Sequence, residues 1–189
     1  LYLLHGAGGD EDAWTTLGRA QHILDNLIAT GKAKPMVVVM TNGNPNCQAA
    51  PGEWSAGQYI PSFYGYQGAK PAATMDESFP DVMNYVENHY KVAKDKAHRA
   101  ICGLSMGGGH SFDISRRFPT KFDYIGLFSA GLHVSTTGDF RNDFYKQLQG
   151  NEEAKTQLAT LFKNKPKLYW IGMGKTDFLY KSSADLRRY

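Results

Sequence analysis

Residues 100–109 read Ala-Ile-Cys-Gly-Leu-Ser-Met-Gly-Gly-Gly, and this stretch decides the fold. The apolar run 100–102 is typical of a short buried strand, and a helical pattern follows the glycines. Between them lies Ser105, flanked by Gly103 and Gly107. Glycines at these two positions let a strand and a helix approach closely, because they carry no Cβ. The pattern predicts a strand–turn–helix unit with a strained backbone at Ser105 and its Oγ projecting from the turn.

Apolar runs of strand length recur along the chain and alternate with segments of helical spacing. The runs are residues 1–4, 36–40, 100–102, 124–129 and 168–172. We expect one helix over residues 14–30, capped by Gly31, and a second over 79–90 with Pro80 near its first turn. Continuous apolar strands separated by helices predict a mostly parallel sheet, buried between helices on both faces. The run 36–40 has the size of a buried strand.

Composition narrows the class of protein. The chain has 189 residues, 42% of them hydrophobic and 21% charged, which suits a single globular domain over residues 1–189. The net charge of +3 comes from scattered basic residues, so no basic stripe indicates a nucleic-acid or membrane surface. No apolar run is long enough to cross a bilayer. The chain has two cysteines, too few for a disulfide framework, and neither belongs to a cluster with metal-ligand spacing. We therefore expect no metal site and no cofactor.

Two motifs together point to a catalytic serine. Gly-x-Ser-x-Gly is the nucleophile elbow of α/β-hydrolases, although alone it also fits a glycine-rich helix start with an ordinary serine. The second motif, residues 5–9 (HGAGG), directly follows the first strand, where this fold completes its oxyanion hole. We therefore predict that Ser105 is the nucleophile and that the backbone amides of Met106 and Ala7 hold the oxyanion. His5 is interpreted as a structural hydrogen-bonding residue of the loop rather than a base.

The acid and the base follow from the chain order of the triad. In this fold the order is serine, acid, histidine, and Asp177 lies in a turn after the last strand-like run. Asp177 is thus the predicted acid; the alternative is that it only forms the turn. All six histidines precede Asp177, so we expect the catalytic histidine beyond Tyr189. Within the chain, His133 is the one substitute, because it follows a strand near the active edge of the sheet.

Three motifs carry a family resemblance: residues 3–9 (LLHGAGG), 103–109 (GLSMGGG) and 172–177 (GMGKTD). Together they resemble the esterase D-like group, and within it the feruloyl and acetylxylan esterases of carbohydrate esterase family 1. The resemblance implies an α/β-hydrolase fold, a Ser–Asp–His triad, and esters of plant cell-wall polysaccharides such as xylan as substrates. It also implies a secreted or periplasmic location. Relative to the family pattern, we expect this chain to be a fragment without the N-terminal strands and the C-terminal strand and helix.

The motifs do not determine which acyl group the ester substrate carries, or whether the reaction is hydrolysis. Four aromatic residues of a long Gly- and Pro-rich loop are predicted to floor an acyl or sugar pocket, the alternative being that they pack the loop against the core. They are Trp54, Tyr59, Phe63 and Tyr64. The leading hypothesis is a serine carboxylic ester hydrolase that acts through an acyl-enzyme. The alternatives are a non-catalytic carbohydrate-binding or scaffold protein of the same fold, and an acyltransferase on the same triad.

Overall fold

The computed structural model describes residues 1–43, 74–134 and 143–189. Its centre is a parallel sheet of four strands in the order β1-β2-β3-β4. The strands are β1 (Tyr2–Leu4), β2 (Ala100–Leu104), β3 (Tyr124–Phe128) and β4 (Leu168–Gly172). Because the strands run in parallel and in register, with Leu104 opposite Phe128 and Phe128 opposite Gly172, their carboxyl ends share one edge. The parallel sheet predicted from the sequence is confirmed.

Helices fill the connections between the strands and lie on both sides of the sheet. They are α1 (Ala13–Thr16), α2 (Ala20–Ala29), α3 (Met75–His89), α4 (Met106–Arg117), α5 (Phe144–Gln149), α6 (Glu152–Lys163) and α7 (Tyr180–Arg188), with a 3-10 turn at Lys96–His98. In the described parts of the chain, no helix combines the length and the apolarity needed to cross a membrane.

The main core lies between the sheet and helices α3, α4 and α6. Ile101 and Leu127 of the strands are fully buried together with Phe79 of α3 and Phe112 of α4. Phe79 also meets Tyr2 of β1 edge to face, with ring centroids 5.0 Å apart. Each of these large side chains contributes about 1.5–3 kcal/mol by leaving water. The core therefore fixes α4, and with it the turn that precedes α4, against the centre of the sheet.

Helix α3 begins earlier than the sequence pattern suggested. Thr74 caps it by accepting the backbone N–H of Glu77, whose side chain in turn accepts the N–H of Thr74. This capping box places the first helical residue at Met75. Pro80 therefore lies inside the helix rather than near its first turn, and that expectation was wrong.

The segment 14–30 is not one helix. It divides into α1 and α2, because the chain turns at Gly18 and Arg19, where Arg19 has φ 49°. Gly18 lies so close to α1 that an added Cβ would be 2.9 Å from the carbonyl oxygen of Trp14. Leu17, which helical spacing would place on the apolar face of a single helix, is 60% exposed. The predicted end is correct: Gly31 has φ 70°, and the chain closes there with bonds back to Leu27 and Ile28.

The segment 36–40 is an edge segment rather than a buried strand. It runs parallel to β1, with Val39 N–H donating to the Leu1 carbonyl and Leu3 N–H donating to the Val39 carbonyl. Met36 and Val37 are 42% and 38% exposed. In the described parts of the chain it pairs with β1 alone, which explains the exposure. Among the described residues, one face of the sheet is also left uncovered over β3 and β4, where Trp170 is half-exposed, so the burial expected on both faces is incomplete there.

Candidate active site

Ser105 occupies a strained turn between β2 and α4. Its backbone has φ 56° and ψ −112°, a conformation that costs on the order of 1–3 kcal/mol for a residue with a side chain. Three hydrogen bonds hold it: Ser105 N–H donates to the Phe128 carbonyl at 2.9 Å, and its own carbonyl accepts from Gly109 and Gly131, each at 3.0 Å. The predicted strand–turn–helix unit is confirmed. The candidate nucleophile thus lies at the carboxyl edge of the sheet.

Two glycines make this turn possible. A Cβ on Gly103 would lie 2.3 Å from the backbone carbonyl group of Gly107, and a Cβ on Gly107 would lie 2.4 Å from the Leu4 carbonyl oxygen and 2.5 Å from that of His5. These neighbours are backbone atoms of β1 and α4, which cannot rotate away. The first turn of α4 therefore packs closely against β2, as the sequence pattern predicted, and also on the end of β1, a contact that the pattern did not predict.

The loop after β1 lies against the turn. A Cβ on Gly6 would be 3.4 Å from both the Leu104 carbonyl oxygen and the Ser105 Cβ. The loop then reverses at Gly8, which has φ 84°, so that Ala7 is exposed beside the turn. Met106 is the first residue of α4, where helix geometry aims N–H groups outward and concentrates positive potential. The structure places Ser105, Met106 and Ala7 at one edge, and the oxyanion-hole role of the two amides stays a prediction.

His5 is buried behind this loop and uses both ring nitrogens. Nδ1 bonds the Gly6 carbonyl at 2.8 Å, and Nε2 accepts the backbone N–H of Gly43 at 2.7 Å. Burial lowers the pKa of the imidazole below its usual range. The Gly6 carbonyl and the carboxylates of Asp10 and Glu11 raise the pKa, but they offset the effect of burial only in part. His5 is therefore a structural hydrogen-bonding residue, as interpreted from the sequence.

Asp177 lies on the same edge, two strands from Ser105. It follows β4 in a tight turn, where its Oδ1 accepts the N–H of Leu179 at 2.8 Å and its N–H donates to the Gly174 carbonyl. Since neighbouring strands are about 4.8 Å apart, β2 and β4 are separated by roughly 10 Å. A base acting between the two residues would have to lie above the end of β3. The turn-forming role is thus present in the structure, and the role as the triad acid stays a prediction.

The remaining histidines differ in their surroundings. His133 is exposed after β3, close to the end of the described segment 74–134. His110 projects from α4 into the interior, where burial lowers its pKa to about 4. Its Nδ1 has no hydrogen-bond partner among the described residues. A ring whose low pKa keeps it uncharged at neutral pH, as that of His110 does, fits a packing role better than proton transfer at Ser105.

Two further predictions concern pockets and metals. Trp54, Tyr59, Phe63 and Tyr64 lie outside the described residues, so the pocket role assigned to them stays a prediction. Within residues 1–43, 74–134 and 143–189, no group of three or more histidine, cysteine or acidic side chains could hold a metal ion.

Sequence reasoning missed two supports of the turn. Gly43 contacts the site from the loop after the edge segment, 38 residues from His5, and no local pattern marks it. Ser129 continues β3 with φ 43° and donates its N–H to the Gly172 carbonyl, which turns the chain so that Gly131 reaches Ser105. A strained non-glycine residue such as Ser129 carries no signal in a single sequence.

Comparison with known proteins assigns the family. A family model described as "Putative esterase" matches residues 1–184. The chain belongs to this esterase family. Among curated proteins, the esterase chain is 38% identical over 134 residues to an endo-1,4-beta-xylanase/feruloyl esterase of Xylanibacter ruminicola. That match covers 71% of the chain but only 17% of the length of the relative.

Solved structures with the same fold confirm the architecture. The esterase chain superimposes on a ferulic acid esterase with a TM-score of 0.65 and 24% identity, covering 99% of this chain and 69% of that one. It superimposes on an S-formylglutathione hydrolase of Staphylococcus aureus with a TM-score of 0.62 and 22% identity, covering 100% and 69%. At such identities the likeness shows the fold, and the predicted α/β-hydrolase fold is confirmed. A CE1 ferulic acid esterase of Anaeromyces mucronatus shares the fold too, with a TM-score of 0.57 and 20% identity, covering 98% of this chain and 74% of that one, and the resemblance drawn from the motifs is confirmed.

Proposed function

We propose that this chain carries the nucleophile, the oxyanion hole and the acid of a serine carboxylic ester hydrolase. The observation that supports this most is the backbone of Ser105, held at φ 56° between β2 and α4 with the β1 loop packed against it. A strained turn of this kind costs free energy, and the fold retains it through three backbone hydrogen bonds. An elbow of this kind presents the serine Oγ beside the N–H groups that begin the following helix, which gives the strain a chemical purpose.

The proposed reaction has two halves. Ser105 Oγ attacks the ester carbonyl while a histidine located beyond Tyr189 takes the hydroxyl proton, and the amides of Ala7 and Met106 stabilise the oxyanion. The tetrahedral intermediate collapses, the C–O bond to the alcohol breaks, and the histidine returns the proton to the departing alcohol. Water then attacks the acyl-Ser105 ester by the same route, which releases the carboxylic acid and free serine. Asp177 orients the imidazole from the far side of β3.

The proposed substrates are feruloyl or acetyl esters of plant cell-wall polysaccharide. Support comes from the names of the similar proteins, a xylanase/feruloyl esterase and a ferulic acid esterase. The S-formylglutathione hydrolase has the same fold at similar identity, so the fold alone does not select the acyl group. A polymeric substrate is too large to enter a cell, and we therefore propose a secreted or periplasmic location for the full-length protein.

The test is turnover by the full-length protein. Release of ferulate from methyl ferulate and of acetate from acetylated xylan would be measured for the wild type and for Ser105→Ala. The proposal expects turnover of at least one substrate and a loss on the order of 10⁴-fold or more in the variant. Polysaccharide binding without turnover would support the non-catalytic alternative instead.

The base is tested separately with His133→Gln in the same full-length protein. Because His133 is exposed and is not the proposed base, kcat should stay within about twofold of the wild type. A loss comparable to that of Ser105→Ala would transfer the role of the base to His133.

A further inference from the structure

The imidazole of His5 joins two loops that are far apart in the sequence. One is the loop after β1, which contains Ala7; the other is the turn after the edge segment, which contains Gly43. Nδ1 of His5 lies 2.8 Å from the Gly6 carbonyl oxygen, and Nε2 lies 2.7 Å from the Gly43 nitrogen. The side chain is 3% exposed, so water does not compete for either bond.

These two partners determine the form of the ring. A backbone N–H can only donate, so Nε2 must accept from Gly43 and cannot carry a hydrogen. A carbonyl oxygen can only accept, so Nδ1 must carry the hydrogen that bonds Gly6. His5 is therefore neutral with its proton on Nδ1. An imidazolium would turn an N–H of the ring against the N–H of Gly43 and break the bridge.

The far end of the bridge lies against the side chain of Met106, the residue whose amide is the second donor of the proposed oxyanion hole. A Cβ on Gly43 would lie 2.7 Å from the Met106 Cε and 3.3 Å from the His5 ring, so Gly43 fits between the two side chains. A second bond supports the same contact, since Asn42 Nδ2 donates to Glu11 Oε2 at 3.1 Å. The turn 41–43 thus reaches Met106 on one side and the β1 loop on the other.

We propose that His5 is a positioning residue of the oxyanion hole, which sets the Ala7 loop against Met106 by bridging the Gly6 carbonyl and the Gly43 amide. This rests on the proposed function. His5 touches neither the serine Oγ nor the substrate in this role. It acts by fixing the relative position of two N–H groups that come from separate parts of the chain, and oxyanion stabilisation depends steeply on that position.

The role carries a dependence on pH. Burial holds the pKa of His5 below its usual range, so the bridge is intact at neutral pH and is lost as the ring takes a proton in acid. The charged or titratable groups that act on His5 are Asp10 and Glu11 of its own loop, which favour the proton, and His110 of α4. Protonation of His5 should therefore lower catalysis at acid pH in addition to protonation of the catalytic base.

Three variants of the full-length protein test the bridge atom by atom. His5→Gln extends an amide toward the Nε2 position, where its oxygen can accept the Gly43 N–H. His5→Asn keeps a donor near the Nδ1 position but does not reach Gly43. His5→Phe fills the space with neither bond. His22→Gln, at an exposed position of α2, is the matched control. Each kcat would be expressed per serine titrated with a fluorophosphonate, so that misfolded protein does not count.

The proposal expects kcat for methyl ferulate to fall about 10- to 100-fold in His5→Phe with KM within about threefold, since an oxyanion donor is misplaced rather than removed. His5→Gln should recover most of kcat, and His5→Asn should not. The acid limb of log kcat/KM should approach a slope of two in the wild type and one in His5→Gln. The control should match the wild type.

Two results would overturn the proposal. One is a kcat per titrated serine in His5→Phe within twofold of the wild type. The other, which decides the matter if His5→Phe does not fold, is a kcat in His5→Asn equal to or above that in His5→Gln. Failure of the proposed function is distinguishable from both, because Ser105→Ala would then turn over substrate as fast as the wild type.

Discussion

Replacing Gly107 by alanine tests the contact on which the turn at Ser105 depends. The new Cβ would lie 2.4 Å from the Leu4 carbonyl oxygen and 2.5 Å from the His5 carbonyl oxygen. A Cβ atom is essentially never closer than 3.0 Å to a non-bonded atom, so β1 and α4 must separate by at least about 0.6 Å. Both elements are packed into the main core, and neither contact can be relieved by rotating a side chain.

The expected cost is about 3 kcal/mol of unfolding free energy, the upper end of the range for overpacked sites, because two backbone carbonyls oppose the methyl group at once. Equilibrium urea denaturation of the full-length protein would measure it. The matched control is Gly150→Ala at the end of α5, where the nearest atom to an added Cβ is 3.5 Å away and φ is −83°. The control should lie within about 0.5 kcal/mol of the wild type or above it. A Gly107→Ala variant as stable as the control would refute the close contact.

Three further predictions concern a buried histidine, a helix cap and the triad acid. Burial lowers the pKa of His110 from 6.5 to about 4, so the unfolded chain binds more protons as the pH falls below 6.5. Between pH 7 and pH 5 the unfolding free energy of the wild type should therefore fall by about 2 kcal/mol more than that of His110→Leu. Denaturation curves at the two pH values would measure this, and an equal fall in both proteins would contradict it. Thr74→Ala should lose about 1 kcal/mol with the α3 capping box, whereas Thr74→Ser should lose little. Asp177→Asn keeps an oxygen for the Leu179 N–H, so the full-length variant should fold while kcat falls on the order of 10³- to 10⁴-fold. Unchanged kcat would remove Asp177 from the triad.

The parts of the fold that local chemistry dictates could be predicted from the sequence. Gly103 and Gly107 around Ser105 signal the turn, because hardly any other residue fits there. The start of α3 is also encoded locally, since Thr74 and Glu77 have the spacing of a capping box, whereas hydrophobic periodicity alone places the start of the helix too late.

Features that depend on distant neighbours could not be predicted. Helical periodicity over residues 14–30 does not reveal that Gly18 fits against Trp14 and ends the first helix. The exposure of Met36 and Val37 depends on which strand lies beside them, not on their own hydrophobicity. In the site, the order of motifs located Ser105, the β1 loop and Asp177 on one edge, because parallel strands share their carboxyl edge. The bond from His5 to Gly43 joins positions 38 residues apart and leaves no trace in either segment.

The most direct test of the central claim is covalent labelling of the full-length protein with a fluorophosphonate, followed by peptide mass spectrometry. Only an activated serine with an adjacent base and oxyanion hole reacts quickly with such a probe. The proposed function predicts a single adduct on the peptide that contains Ser105 and no adduct above background in Ser105→Ala. An adduct on another residue, or labelling of Ser105→Ala as fast as the wild type, would contradict it.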